Sequence, residues 1–125
     1  HSDENVEEMH EVQGISIVTR RVSGLDRRSR RALADSLRSR LGTGVVILTS
    51  TDDQKVTLLV SVTKDLLDRL HAGEIVKVLA PIVGGKGGGQ SELAEAGGRQ
   101  PGKIDELFSE SRQLIDRMLT EHKAS

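Results

Sequence analysis

At 125 residues, with 18 Lys and Arg against 19 Asp and Glu, the chain is long enough for one domain with a modest core and too short for two. It has no Cys, Trp or Tyr, and Phe108 is its only aromatic residue, which excludes a disulfide framework, a thiolate zinc site and an aromatic platform for stacked bases. With no signal peptide and no apolar run near the roughly 20 residues that span a bilayer, it reads as a cytoplasmic protein with an aliphatic core and no membrane partner.

The chain opens on His1-Ser2 rather than methionine, which reads as a piece cut from a longer protein with a tag remnant in front. Residues 1–13 carry Asp3, Glu4, Glu7, Glu8 and Glu11 and no Lys or Arg. They read as an acidic tail or linker, frayed or helical, with the globular domain over 14–125. Gly14 to Val22 alternates apolar and polar residues at its centre and is rich in β-branched side chains, which predicts a strand. After Ser23-Gly24, the leucines Leu33, Leu37 and Leu41 repeat at four-residue spacing and Gly42 follows, which predicts a helix with a glycine C-cap.

Val45 to Ser50 and Lys55 to Val62 read as a hairpin around Thr51-Asp52-Asp53-Gln54, apolar on both faces and therefore central in a covered sheet. A helical turn is expected near Leu66 to Leu70. A buried helix is expected over Glu74 to Val83, with Lys77 exposed and Pro81 loosening its end. A glycine-rich loop, a short strand over Ser91 to Gly97 and an irregular turn follow. Ile104, Leu107, Phe108, Ser111, Ile115, Met118 and Leu119 then mark a long C-terminal helix. The fold class expected is α/β, a single domain with a mixed sheet of about four to five strands covered by helices.

Two segments stand out as candidate sites. Ile82 to Ser91 packs five glycines around Lys86. A phosphate-binding P-loop is excluded: the position of its first glycine holds Ala80, Lys86 is followed by Gly87, and the loop follows a helix instead of starting one. What remains is bare backbone able to approach phosphate or ribose, with Lys86 adding charge. The second segment, residues 20–40, holds eight arginines against Asp26 and Asp35. Arg27, Arg31 and Arg38 share a narrow arc of the helix, with Asp35 spaced to pair with Arg31 and Arg38. An arginine-only basic face suits phosphate. No catalytic or metal constellation is visible, since His1, His10, His71 and His122 are scattered and Asp65 and Asp68 read as a solvated turn.

Val60 to Gly98 resembles the C-terminal domain of bacterial alanyl-tRNA synthetases, a DHH-associated domain type. The residues that carry the resemblance are Val-Thr-Lys-Asp-Leu from Val62, Ala-Gly-Glu-Ile-Val-Lys from Ala72, Gly-Gly-Lys-Gly-Gly-Gly from Gly84 and Ala-Glu-Ala-Gly-Gly from Ala94. The resemblance implies a non-catalytic appendage that binds the elbow of tRNA-Ala and helps the aminoacylation and editing sites of its parent alanine-tRNA ligase act on one tRNA. It implies contact by Gly84, Gly85, Lys86, Gly87, Gly88, Gly89 and Gln90; charge and position add Lys77 and Arg99. No cofactor is expected in this segment; ATP, magnesium and an editing-site zinc belong, on the resemblance, to other domains of the parent, which are themselves expected partners. Two other readings stay open. One is an oligomerisation module whose C-terminal helix meets a second copy in a homodimer. The other is the nucleic-acid-binding domain of a DHH-type phosphoesterase.

Overall fold

The structure is a computed structural model that describes residues 5–124. Its centre is a six-stranded sheet: β1 (Val6–Val12), β2 (Ile15–Ser23), β3 (Gly44–Asp52), β4 (Lys55–Val62), β5 (Lys86–Gly89) and β6 (Leu93–Gly98), in the order β1-β2-β3-β4-β6-β5. Only β2 and β3 run parallel. A parallel pair needs a crossover, and helix α1 (Arg27–Leu41) supplies it.

The two faces of the sheet are covered separately. On one, Ala34 and Leu37 of α1 pack with Val18, Val46, Leu48 and Leu59, flanked by the partly buried Leu33 and Leu41. On the other, helices α2 (Ala72–Leu79) and α3 (Ile104–Ala124) bury Ile75, Leu79, Ile104, Leu107 and Ile115 against Ile17, Ile47, Leu58 and Val60. The doubly apolar runs of β3 and β4 are explained by this position between two helical layers, each fully buried Leu, Ile or Val adding roughly 1.5–3 kcal/mol. Asp26 caps α1 by accepting from the Ser29 N–H at 2.8 Å, and the Gly42 N–H closes it on the Arg38 carbonyl.

Two expectations are corrected. The acidic lead is neither frayed nor helical from Val6 onward: Val6–Val12 forms β1, antiparallel to β2. Its polar side chains are compatible with an edge position, and Glu7 is tied to Arg20 at 2.6 Å and Arg40 at 3.4 Å. His1 to Glu4 lie outside the described residues. Second, Lys86–Gly89 is an edge strand rather than a loop, so the sheet has six strands where about four to five were expected. The helix expected to reach Val83 gives way at Ala80, where Pro81 sits in a 3₁₀ turn over Ala80–Val83. Among the described residues no helix is long and apolar enough to cross a membrane.

Candidate nucleic-acid interface

The glycine segment is built by its neighbours. Gly84 leaves the 3₁₀ turn in the left-handed conformation, φ 71° and ψ 35°, and Gly85 N–H donates to the Ala80 carbonyl at 3.0 Å. The chain then enters β5 against β6. A Cβ on Gly85 would collide with the Gly97 carbonyl, and one on Gly87 with the Glu95 carbonyl and Ala96. In α2, a Cβ on Gly73 would lie 2.7 Å from the Gly89 carbonyl oxygen. Part of the glycine density therefore serves close packing of β5 between α2 and β6. Gly88 and Gly97 are different, because nothing lies within 4 Å of where their side chains would stand.

Cross-strand register explains that openness. Lys86 opposes Gly97, Gly88 opposes Glu95, and Gly97 also opposes Thr57, so these residues share the α1 face of the sheet. Beyond the end of α1 this face is uncovered. A depression of about 500 Å³ opens there, lined by Lys55, Thr57, Lys86, Arg99 and the backbone of Gly84, Gly85, Gly97 and Gly98. Arg99 is held at its rim because its N–H and that of Gln100 both donate to the Val83 carbonyl, at 2.8 and 2.9 Å. Among the described residues Lys55, Lys86 and Arg99 have no ion-pair partner. The Gln90 N–H donates to the Leu93 carbonyl, and the antiparallel alternation from that pair turns the Gly87 and Gly89 N–H groups away from β6, with the Gly89 end of this edge packed against Gly73 of α2.

Sequence reasoning missed Lys55 and Thr57. Both lie in the β4 arm of a hairpin, and only the β4–β6 pairing brings them to the glycines. Of the residues it did select, Gly84, Gly85 and Lys86 line the depression with Arg99. Gly87, Gly88 and Gly89 continue along β5, and Gln90 follows with its side chain exposed. Lys77 is exposed on α2, one turn beyond Gly73 and on the opposite side of the sheet from Lys86.

The arginine helix divides. Arg27, Arg30 and Arg31 converge on Glu95 of β6, with nitrogen to carboxylate distances of 3.6, 3.8 and 2.9 Å. Arg38 pairs with Asp35 at 3.2 Å and lines a second depression with Gly42, Thr63 and Lys64, toward the far end of the helix. The expected Asp35–Arg31 pair is thus replaced by Arg31–Glu95, because β6 brings a less exposed carboxylate within reach. Arg27 and Arg31 border the glycine face; Arg38 does not. Among the described residues no three His, Asp or Glu side chains gather as a metal site.

The pattern that defines the DHHA1 domain matches residues 14–117, most of the chain. The chain belongs to the DHHA1 domain family. Alanine–tRNA ligase of Pelotomaculum thermopropionicum is 39% identical over 91% of this DHHA1 chain and 13% of its own length. That of Solibacter usitatus is 46% identical over 82% and 12%. The chain thus spans about an eighth of the length of these curated relatives. The crystal structure of the C-Ala domain from Aquifex aeolicus alanyl-tRNA synthetase superposes with a TM-score of 0.82 and 26% identity, covering 87% of this chain and 98% of that one. The DHHA1 match begins at Gly14, so β1 precedes it.

Proposed function

We propose that this DHHA1 domain is a non-catalytic, tRNA-binding appendage of an alanine–tRNA ligase, seating the elbow of tRNA-Ala on the glycine-floored face. In that role it helps the parent's aminoacylation and editing sites act on the same tRNA. The observation that carries the reading is the set of three cations, Lys55, Lys86 and Arg99, without an ion-pair partner among the described residues, around a floor of bare backbone, in a chain similar to alanine–tRNA ligases.

The chemistry suits folded RNA. Structured RNA is recognised largely through shape, phosphate and 2′-hydroxyl contacts, and aromatic stacking is needed mainly for single strands. A floor without side chains admits a tightly turned backbone that protruding groups would repel. The N–H group of Gly87, turned away from β6, offers a donor to phosphate or ribose oxygens, and the cations supply the charge.

The test is a titration of intact tRNA-Ala and of its acceptor-stem minihelix, at several salt concentrations, with the wild type and with Lys55→Ala, Lys86→Ala and Arg99→Ala. Elbow binding predicts that intact tRNA binds much more tightly than the minihelix. Each substitution should weaken it, and each lost phosphate contact should flatten the salt slope by about one. Equal affinity for both RNAs would refute elbow recognition, and no effect of any of the three substitutions would refute the depression as the site.

A further inference from the structure

Glu95 is placed unlike any other carboxylate among the described residues. It stands on β6 facing α1, its side chain 17% exposed, with three guanidinium groups within 4 Å. One negative charge against three positive ones leaves a local surplus of two. The hydrogen bonding is also incomplete: Arg31 Nη2 donates to Glu95 Oε1 at 2.9 Å, while Glu95 Oε2 and Arg30 Nε, an ion pair at 3.8 Å, and Arg31 Nε are buried without a hydrogen-bond partner among the described residues. The three arginines are not equivalent. Arg30 is 16% exposed and also donates to the Leu25 carbonyl at 2.9 Å, which fixes it at the start of α1. Arg27 and Arg31, at 71% and 43%, open to solvent.

The surroundings say what could complete this cluster. Gly88 lies directly opposite Glu95 and Gly97 two residues along the same strand, on the same face, both with open space above them. A clear path of backbone therefore runs from the arginines to the Lys55–Lys86–Arg99 depression. Any polyanion seated in the depression and following that path reaches Arg27 and Arg31, whose forked donors match phosphate as well as carboxylate.

We infer that Glu95 is an internal counter-anion that sets the strength of RNA binding: it holds Arg27 and Arg31 in the free protein, and an RNA phosphate crossing the Gly88–Gly97 floor replaces it. This inference rests on the reading of the face as an RNA site. Glu95 keeps the guanidinium groups ordered and partly neutralised until RNA arrives, and its displacement is subtracted from the affinity. Arg30 stays with Glu95 throughout, so the carboxylate is not left buried alone.

Intact tRNA-Ala is titrated at several salt concentrations with the wild type, Glu95→Gln, Arg27→Ala, the double variant and Lys86→Ala, with a melting temperature for each. Glu95→Gln should bind about two- to fivefold more tightly, the size of one partly exposed ion pair, although it melts lower. Arg27→Ala should bind more weakly, with a salt slope flatter by about one, and in its presence the gain from Glu95→Gln should shrink. A residue that only supports the fold would lower the melting temperature without raising affinity. Should Glu95→Gln not fold, the Arg31 side-chain Nε–H resonance of the wild type decides, because displacement requires it to shift on RNA addition. Unchanged or weaker binding by a folded Glu95→Gln, or an Arg31 signal indifferent to RNA, overturns the inference; if Lys86→Ala still weakens binding, the function proposed above survives. Effects at Glu95 and Arg27 without one at Lys86 would keep this inference and remove the depression. A wild type that binds no RNA refutes both.

Discussion

Gly87 stands directly opposite Ala96 in the β5–β6 ladder, so close that a Cβ on Gly87 would overlap Ala96 and the Glu95 carbonyl. Its neighbour Gly88 looks into open space. The two glycines, adjacent in sequence, are thus required by different things.

Alanine substitution separates them. Gly87→Ala forces β5 away from β6 and should cost about 1–3 kcal/mol, the usual range for overpacking a close contact. Gly88→Ala has room and no left-handed backbone to oppose it, so it should stabilise the fold by about 0.4–1 kcal/mol through the unfolded chain. If RNA rests on the floor, Gly88→Ala should at the same time weaken tRNA binding. Urea denaturation paired with tRNA titration reads both effects, and a Gly88→Ala variant that loses stability would contradict the geometry.

Asp26 is the N-cap of α1, and its bond from the Ser29 N–H holds its carboxyl below the usual aspartate range. Asp26→Ala should destabilise the helix start, visible as a lower urea midpoint at unchanged slope. Asp26→Asn should recover most of the loss. An Asn variant as unstable as the Ala variant would show that charge, rather than the hydrogen bond, holds this end of the helix.

Glu7 links β1 to the arginine-rich region, and its carboxyl is held below the ordinary glutamate range by the hydrogen bond from Arg20, with the Arg40 charge adding to it. A lowered folded-state pKa means the detached strand binds the proton more readily. The contribution is therefore complete above the ordinary glutamate pKa and lost as pH falls through the lower folded value. The amide protection factors of Val6–Val12, taken relative to the intrinsic exchange rate at each pH, should fall on acidification below about pH 4.3, the unperturbed glutamate value, before those of the central strands respond. Glu7→Gln should weaken β1 at neutral pH and reduce this acid dependence; an unchanged acid response would place its origin elsewhere.

The parts of the fold legible in sequence are those with side-chain periodicity. Leu33, Leu37 and Leu41 announce α1, and the apolar runs of Val45–Ser50 and Lys55–Val62 announce the buried centre of the sheet. The two edge strands gave no such signal. In β1 the apolar residues Val6, Met9 and Val12 are three apart, so no alternation marks a strand. In β5 the glycines have no side chains to alternate. The candidate site was half visible. Lys86 and its glycines stand out locally, but Lys55 joins them through strand order, and Glu95 meets Arg31 across 64 residues of chain. Pairings that depend on register between distant segments leave no periodic trace.

The two cores differ in depth. Among the described residues, the cluster beneath α1 contains seven buried residues, while the one beneath α2 and α3 contains 23. Free energies of local opening follow the apolar contacts an element must break, so the arginine helix is the layer that loosens first while the sheet and opposite helices remain folded. The Arg27–Arg31 border of the face proposed to meet RNA is consequently carried by the most yielding part of the domain, which gives these two side chains room to adjust to an irregular RNA surface beside a floor that keeps its shape.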